Sequence, residues 1–307
     1  MAKPIKFESL PNEIRASLER LDSTGSFEVV RSRYESITVI NQRLARVYKF
    51  VRKNKKLVAF LDHEIDNLIL LRNKKVAAPM VLNRQPLKQY DMVSYALIEG
   101  EILVGKLLPE HVRLVGLSQR KLHDTFERDG ATKSASVNSV RALKPIFAKA
   151  NAAEFEPDLI SFARSISRQL KSHETAREDI TFIHSDGHFW NIVFQPERAV
   201  MIDWAEAGWG SRYYDLGVTI EAILLERKAG QRDLLRAYLA AYFGEAGPTE
   251  RELKLIELHV KLRMLEGATW HLNESREDQL LNRLKYTKFV TECFKKAQKF
   301  SLAAALK

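Results

Sequence analysis

The stretch from Phe182 to Gly217 constrains this chain more than any other. It carries His184, Ser185, Asp186, Gly187, His188, Phe189, Trp190 and Asn191 in a row. Asp203 follows Asn191 by twelve residues, and Asp215 follows Asp203 by twelve more. Between these polar positions lie short apolar runs, Ile180 to Ile183, Ile192 to Phe194 and Ala199 to Ile202. Each is too short for a helix and reads as a strand, so a small hairpin sits inside an otherwise helical region.

The surroundings set the architecture. Phe27 to Val51 is rich in Val, Ile, Tyr and Phe with polar residues interleaved, which reads as two or three strands. Between Lys56 and Arg72 the apolar positions Leu57, Leu61, Ile65, Leu68 and Leu71 fall every three or four residues, one face of a helix. Pro79 lies beyond its end. Met92 to Ile98 reads as a buried strand broken by Glu99, Gly100 and Glu101. Helical periodicity then covers Glu110 to about Phe126. A polar loop is expected over Asp129 to Asn138, and helices over Val140 to Ala150 and Pro157 to Lys171. From Asp215 onward the pattern is helical, interrupted at Gly244 to Pro248. A strand-rich third followed by a helix-rich remainder is an α+β plan. The expected division is residues 1–100 and 101–307, with the junction near Gly100.

Composition narrows the setting. One cysteine, Cys293, excludes an intramolecular disulfide and a multi-cysteine metal site. Met1 to Pro11 has no apolar leader, and no run approaches the roughly 18 apolar residues of a membrane helix. A cytoplasmic protein with no membrane span is expected. The net charge is +10, but the basic residues are scattered. The densest run, Arg52 to Lys56, lacks interleaved aromatics, so it reads as a solvated turn and nucleic-acid binding is not expected.

Phosphoryl transfer to an alcohol needs an acceptor for the hydroxyl proton and oxygen ligands for the metal that neutralises the phosphates. An Asp in a loop, an Asn five residues on and a further Asp after a short hairpin supply these groups. His-x-Asp-x-x-x-x-Asn is also the spacing of the protein-kinase catalytic loop. FIHSDGHFWNIVF (182–194) and MIDWAEAGWGSRYYDLG (201–217) resemble the catalytic and metal-binding loops of the aminoglycoside phosphotransferase and choline kinase family. The resemblance implies a two-lobed protein-kinase-like fold, with a strand-rich N-lobe that binds nucleotide and a helical C-lobe that carries the acceptor pocket. It implies ATP and Mg²⁺ as cofactors and a small-molecule hydroxyl acceptor such as an aminoglycoside, amino alcohol or sugar. By the same resemblance Asp186 is the catalytic base, Asn191 and Asp203 are the metal ligands, and His184 and Asp215 brace the loop.

More weakly, YALIEGEIL (95–103) resembles the family's hinge, placing adenine contacts near Leu97, Ile98 and Glu99. LSQRKLH (117–123) resembles its helix ending in Leu-His. HEIDNLILL (63–71) resembles the αC-type helix, whose glutamate would be Glu64. Its lysine partner is taken as Lys49, although Lys55 and Lys56 are nearer in sequence. One departure stands out: no glycine lies between Phe27 and Lys49, where the family's glycine-rich loop falls. The expected hairpin is Ser36 to Arg43, turning at Asn41 and Gln42, because Asn tolerates left-handed geometry.

Other residues divide between functional and structural readings. His188 reads as a surface loop histidine, with substrate contact as the alternative. Trp190 and Trp204 read as core. Trp209 and Glu206 are alternative pocket residues. Glu252, Glu257, Glu266, Glu274 and Asp278 could grip a cationic substrate, but read individually as solvated helix positions. A protein kinase-like enzyme and a catalytically silent nucleotide-binding module are the rival functions. Only eleven residues separate Asp203 from Asp215, too few for a long regulated segment.

Overall fold

The computed structural model describes residues 6–33, 36–130, 157–173, 179–226, 230–274 and 291–306. The chain divides into two compact units. Met1–Glu101 and Val200–Glu206 form the first, and Ile102–Ala199 and Ala207–Lys307 form the second.

The first unit is a five-stranded antiparallel sheet in the order β1-β2-β3-β5-β4. Its strands are β1 (Glu28–Arg33), β2 (Ser36–Asn41), β3 (Arg46–Arg52), β4 (Val81–Pro86) and β5 (Tyr90–Ala96). Alternation along the strands sends Ile37, Val39, Tyr48 and Phe50 to one face, where Leu10 and helix α1 (Asn12–Leu21) cover them through Ile14 and Leu18. The other face carries Lys49, paired in register with Val93 of β5. Helix α2 (Lys55–Asn73) buries Leu61, Glu64, Asn67, Leu68 and Leu71, a single stripe at three- and four-residue intervals. Asn54 starts it by accepting a hydrogen bond from Lys56 N.

Sequence and structure differ at the expected 36–43 hairpin. Ser36 to Asn41 is one strand, and the turn falls at 42–45 with Ala45 at φ 48°. Asn41 is buried and acts as a bracket. Its Nδ2 donates to Asp22 (2.7 Å) and its Oδ1 accepts from Leu44 N (2.8 Å). Arg43 grips the same Asp22 carboxylate through Nε and Nη2, and those bonds hold it well below the usual carboxylate range.

The second unit is built from α3 (Pro109–Gly130), α4 (Pro157–His173), α5 (Arg212–Glu226), α6 (Gln231–Phe243), α7 (Glu250–Glu274), a helix over 291–299 and a short one at Leu302–Leu306. Helix α3 runs to Gly130, so it absorbs the first residues of the polar stretch expected to be loop. The expected helix over Val140 to Ala150 lies outside the described residues. Ile160, Ile166 and Leu170 of α4, Val218 of α5, Leu258, Leu262 and Leu265 of α7 and Phe294 form one core. The short strands are β6 (Ile180–Ile183), β7 (Ile192–Phe194), β8 (Ala199–Met201) and β9 (Gly208–Ser211). β9, a glycine-containing partner of β6, had no strand pattern in the sequence. Among the described residues no helix is long and apolar enough to cross a membrane.

Close helix approach depends on glycine at two points. A Cβ on Gly217 of α5 would stand 2.8 Å from His259 Cβ of α7, and one on Gly116 of α3 would stand 2.7 Å from the Tyr238 carbonyl oxygen of α6. Both obstacles are backbone or the stem of a side chain, so neither can swing away. Gly217→Ala is expected to destabilise the protein by about 1–3 kcal/mol through overpacking, read as a lower urea midpoint at unchanged m-value.

Candidate active site

In the first unit three charged side chains converge. Lys49 Nζ lies 2.7 Å from Glu64 Oε2 and 2.9 Å from Asp203 Oδ1. The meeting follows from two periodicities. Lys49 is on the strand face opposite Tyr48 and Phe50, and Glu64 is on the buried stripe of α2. Asn67, one turn beyond Glu64, donates through Nδ2 to the Trp204 carbonyl (2.9 Å). Trp204 is fully buried, and its Nε1 donates to Met201 O (2.9 Å). These bonds hold Asp203 between them at φ 64°, a left-handed conformation that a non-glycine residue adopts at a cost. Burial opposes the Lys49 charge, but Glu64 and Asp203 outweigh it and hold the amine well above its ordinary range. Burial pushes Glu64 upward, against the pull of Lys49. Lys55 and Lys56 are exposed in the first turn of α2. Leu97 and Ile98 are half-buried and Glu99 is exposed beyond β5, and Leu97 N donates to Ala45 O (2.9 Å).

In the second unit the loop after β6 is organised around Asp215, which is fully buried at the start of α5. Its Oδ2 accepts from His184 N (2.9 Å) and its Oδ1 from Ser185 N (2.7 Å). His123 Nε2 lies 3.1 Å from Oδ2, and His123 Nδ1 lies 2.7 Å from the Tyr242 hydroxyl. Burial would raise this carboxyl, but the bonds from His123 and His184 prevail and hold it below its ordinary value. Ser185 takes φ 66°. The chain then turns Asp186 outward, and its N–H donates to His184 Nδ1 (3.2 Å). Asn191 returns through a single helical turn and donates through Nδ2 to the Asp186 carbonyl (3.0 Å) and to its Oδ2 (2.8 Å). The amide nitrogen of Asn191 is thereby spent on Asp186, and its oxygen is the end suited to a cation. Gly187 passes Gln119 closely, since a Cβ there would be 3.2 Å from Nε2.

The same turn inverts two expectations. His188, read as a surface histidine, is buried, while Trp190, read as core, is 47% exposed. The 189–191 turn inserts Phe189 into the interior and leaves the Trp190 indole stacked on the His188 ring, 4.1 Å between centroids and 12° between planes. Burial, then the charges of Arg263 and His184, push His188 down to about 3. Trp209 packs edge-on against Phe126 and Phe182, and Glu206 is exposed.

The acidic candidates on α7 separate. Glu252 accepts from Thr249 N (2.7 Å) and opens the helix. Glu257 pairs with Lys261 (2.6 Å). Glu266 is buried against Tyr214 and Arg263. The side chain of Glu274, and Asp278 entirely, lie outside the described residues. Sequence reasoning did not single out Arg263, Glu221, Gln119 or Thr219. They belong to helices at no fixed spacing from the loop, so only packing brings them to it.

Each unit presents one half of the chemistry that phosphoryl transfer uses: a lysine–glutamate–aspartate cluster in the first, a braced Asp-Asn loop in the second. This is the organisation of protein-kinase-like phosphotransferases. The chain belongs to the APH phosphotransferase enzyme family, whose model matches residues 26–256. It is thus a small-molecule kinase acting on hydroxyl groups. No curated protein matches it by sequence. Among solved structures it is similar to a microcompartment-associated aminopropanol kinase (TM-score 0.68, 16% identity, 95% of this chain and 98% of that one). It is similar also to a choline/ethanolamine kinase family protein from Mesorhizobium loti (TM-score 0.69, 17% identity, 96% and 98%). A third likeness is to the aminoglycoside phosphotransferase APH(3'')-Id from Streptomyces rimosus (TM-score 0.56, 17% identity, 81% and 98%). At these identities the likeness shows the protein-kinase-like α+β fold.

Asp215→Asn would keep one acceptor oxygen but turn an NH₂ group toward a loop N–H. The buried donor left without an acceptor predicts a loss of about 2–4 kcal/mol in urea unfolding.

Proposed function

We propose that this protein uses ATP and Mg²⁺ to phosphorylate a hydroxyl of a small metabolite or antibiotic, in the cytoplasm. The observation that carries the reading is the Asp186 carboxylate. It is held by Asn191 at 2.8 Å, on a loop whose backbone is fastened to a fully buried aspartate. A carboxylate fixed in this way orients an acceptor hydroxyl and takes its proton late in the transfer. Lys49, fastened by Glu64, steadies the nucleotide phosphates. The adenine lies along the backbone of Leu97, Ile98 and Glu99, using groups other than the Leu97 N–H, which Ala45 already holds.

The chemistry of the donors suits magnesium. Mg²⁺ is commonly held by one or two side-chain oxygens together with phosphates and water, so it needs no dedicated cage. Among the described residues there is no cluster of three or more His, Cys, Asp or Glu that could hold a metal. Asn191 through its oxygen and Asp203 through its carboxylate are the proposed ligands. When bound, the cation neutralises the charge that develops on the phosphates. His184 and Asp215 act by shaping the loop. Among the fold neighbours, an amicoumacin kinase was solved with AMP-PNP, Ca²⁺ and Ami, and APH(3'')-Id with ADP and streptomycin, which supports a nucleotide and a small acceptor here.

Asp186→Asn keeps the size and the Asn191 contact but loses the proton acceptor. Its kcat is expected to fall by about 10²–10⁴-fold, while the nucleotide affinity measured by calorimetry stays within about threefold. A variant that retains most of its turnover would remove Asp186 from this role.

A further inference from the structure

Helix α2 buries one stripe of residues, and two of its five buried positions, Glu64 and Asn67, are polar. If the stripe served packing alone, leucine would suit both, because a buried polar group costs stability unless it is hydrogen-bonded. Glu64 is accounted for by Lys49. Asn67 is 5% exposed, and its Nδ2 donates to the Trp204 carbonyl (2.9 Å). Trp204 directly follows Asp203, the proposed metal ligand. All three residues belong to the first unit, although 137 positions separate Asn67 from Trp204 in sequence.

Asp203 needs such a hold. It takes φ 64°, a conformation that strains any residue with a side chain. Two kinds of contact keep it there. Its carboxylate is bonded to Lys49 (2.9 Å), which is itself paired with Glu64 (2.7 Å). Its backbone is held by the Trp204 indole, which donates to Met201 O (2.9 Å), and by Asn67. The two kinds respond differently to a cation. The Lys49 bond uses the carboxylate for which a cation competes, and a second positive charge there weakens it. The Asn67 bond uses a backbone carbonyl and survives. Asn67, rather than Lys49, is therefore the group that can hold Asp203 in place with a metal bound.

We propose that Asn67 is a positioning residue for the metal: it fixes the backbone at Asp203 and Trp204 so that the Asp203 carboxylate is already aimed when nucleotide and Mg²⁺ bind, and it sets the metal affinity without touching the metal. The inference rests on the kinase reading, in which Asp203 is a ligand. Groups that hold a ligand from behind typically change metal affinity about 10–100-fold when removed. Helix α2 then serves both halves of the charge cluster from one face, the phosphates through Glu64 and Lys49, and the metal through Asn67, three residues on.

Calorimetry on the full-length protein separates this role from plain support of the fold. ADP affinity is measured with Mg²⁺ and with EDTA, and the ratio of the two dissociation constants reports what the metal adds. The wild type is expected to bind ADP more tightly with Mg²⁺. Asn67→Leu, of similar size but without a donor, is expected to lose most of that gain, about tenfold, while metal-free ADP affinity stays within about twofold. Asn67→Ala, which removes the bond without adding bulk, is expected to do the same and carries the test if the leucine variant does not fold. Asn54→Ala removes the cap of the same helix without touching the loop. It is expected to lower the urea midpoint and leave the ratio unchanged. On a mixed panel of polyols, sugars and amino alcohols, Asn67→Leu is expected to raise the Mg²⁺ concentration for half-maximal rate about tenfold, with the acceptor KM within about threefold. A ratio unchanged in the Asn67 variants, a ratio lowered equally by Asn54→Ala, or a loss of metal-free ADP affinity in step with the metal-bound value overturns this proposal and leaves the kinase reading standing. So does a wild type that phosphorylates the panel but whose ADP affinity ignores Mg²⁺. Failure of the wild type to phosphorylate any member of the panel with Mg²⁺ and ATP sinks the kinase reading, and this proposal with it.

Discussion

Two adjacent backbone N–H groups, those of His184 and Ser185, point into a fully buried part of the second unit, and one carboxylate answers both. Without Asp215 both of these bonds would be lost at a left-handed turn, where Ser185 takes φ 66°. His123 supplies a third bond to the same carboxylate and is itself fixed by Tyr242, so α3 and α6 are fastened to the loop through one hydrogen-bonded chain. Asp186 and Asn191 inherit their positions from this arrangement. The loop is thus shaped from behind by Asp215, His123 and Tyr242.

The first unit obeys a different constraint. A strand offers alternate residues to opposite faces, and β3 spends Tyr48 and Phe50 on the core beneath α1. Lys49 is left to the other face, where α2 carries Glu64 on a stripe otherwise made of leucines and Asn67. Two carboxylates around one ammonium then keep that amine charged in a half-buried setting. In this structure Asp203 is bonded to Lys49, so binding a metal through Asp203 would trade one cation for another at the same carboxylate.

Much of this was legible in the sequence because it was written in short-range spacing. The loops that follow β6 and β8 declared themselves through five polar residues at fixed intervals, and the α2 stripe through its period. The strands β2, β3 and β5 followed from β-branched and aromatic runs. What stayed hidden depended on contacts distant in sequence. The burial of His188 and exposure of Trp190 were set by which way one helical turn rolled. Arg263 and Glu221 are single charges in ordinary helices until α5 and α7 cross. The β2–β3 turn was placed too early because Asn41 reads as a turn residue, whereas its side chain works inside the fold as a partner for Asp22. β9 has two glycines in four residues and only Trp209 to favour a strand; its pairing with β6 rests on the backbone ladder and on the Trp209–Phe182 contact, which is distant in sequence.

The central claim is that this chain moves a phosphoryl group from ATP to an alcohol. Phosphorus NMR of the wild-type protein with ATP, Mg²⁺ and the mixed panel of hydroxyl compounds tests it most directly. The account predicts a new phosphomonoester resonance that grows as ADP grows, one for one, and disappears when Mg²⁺ is chelated. ADP accompanied only by inorganic phosphate, or ATP left intact across the panel, would contradict it.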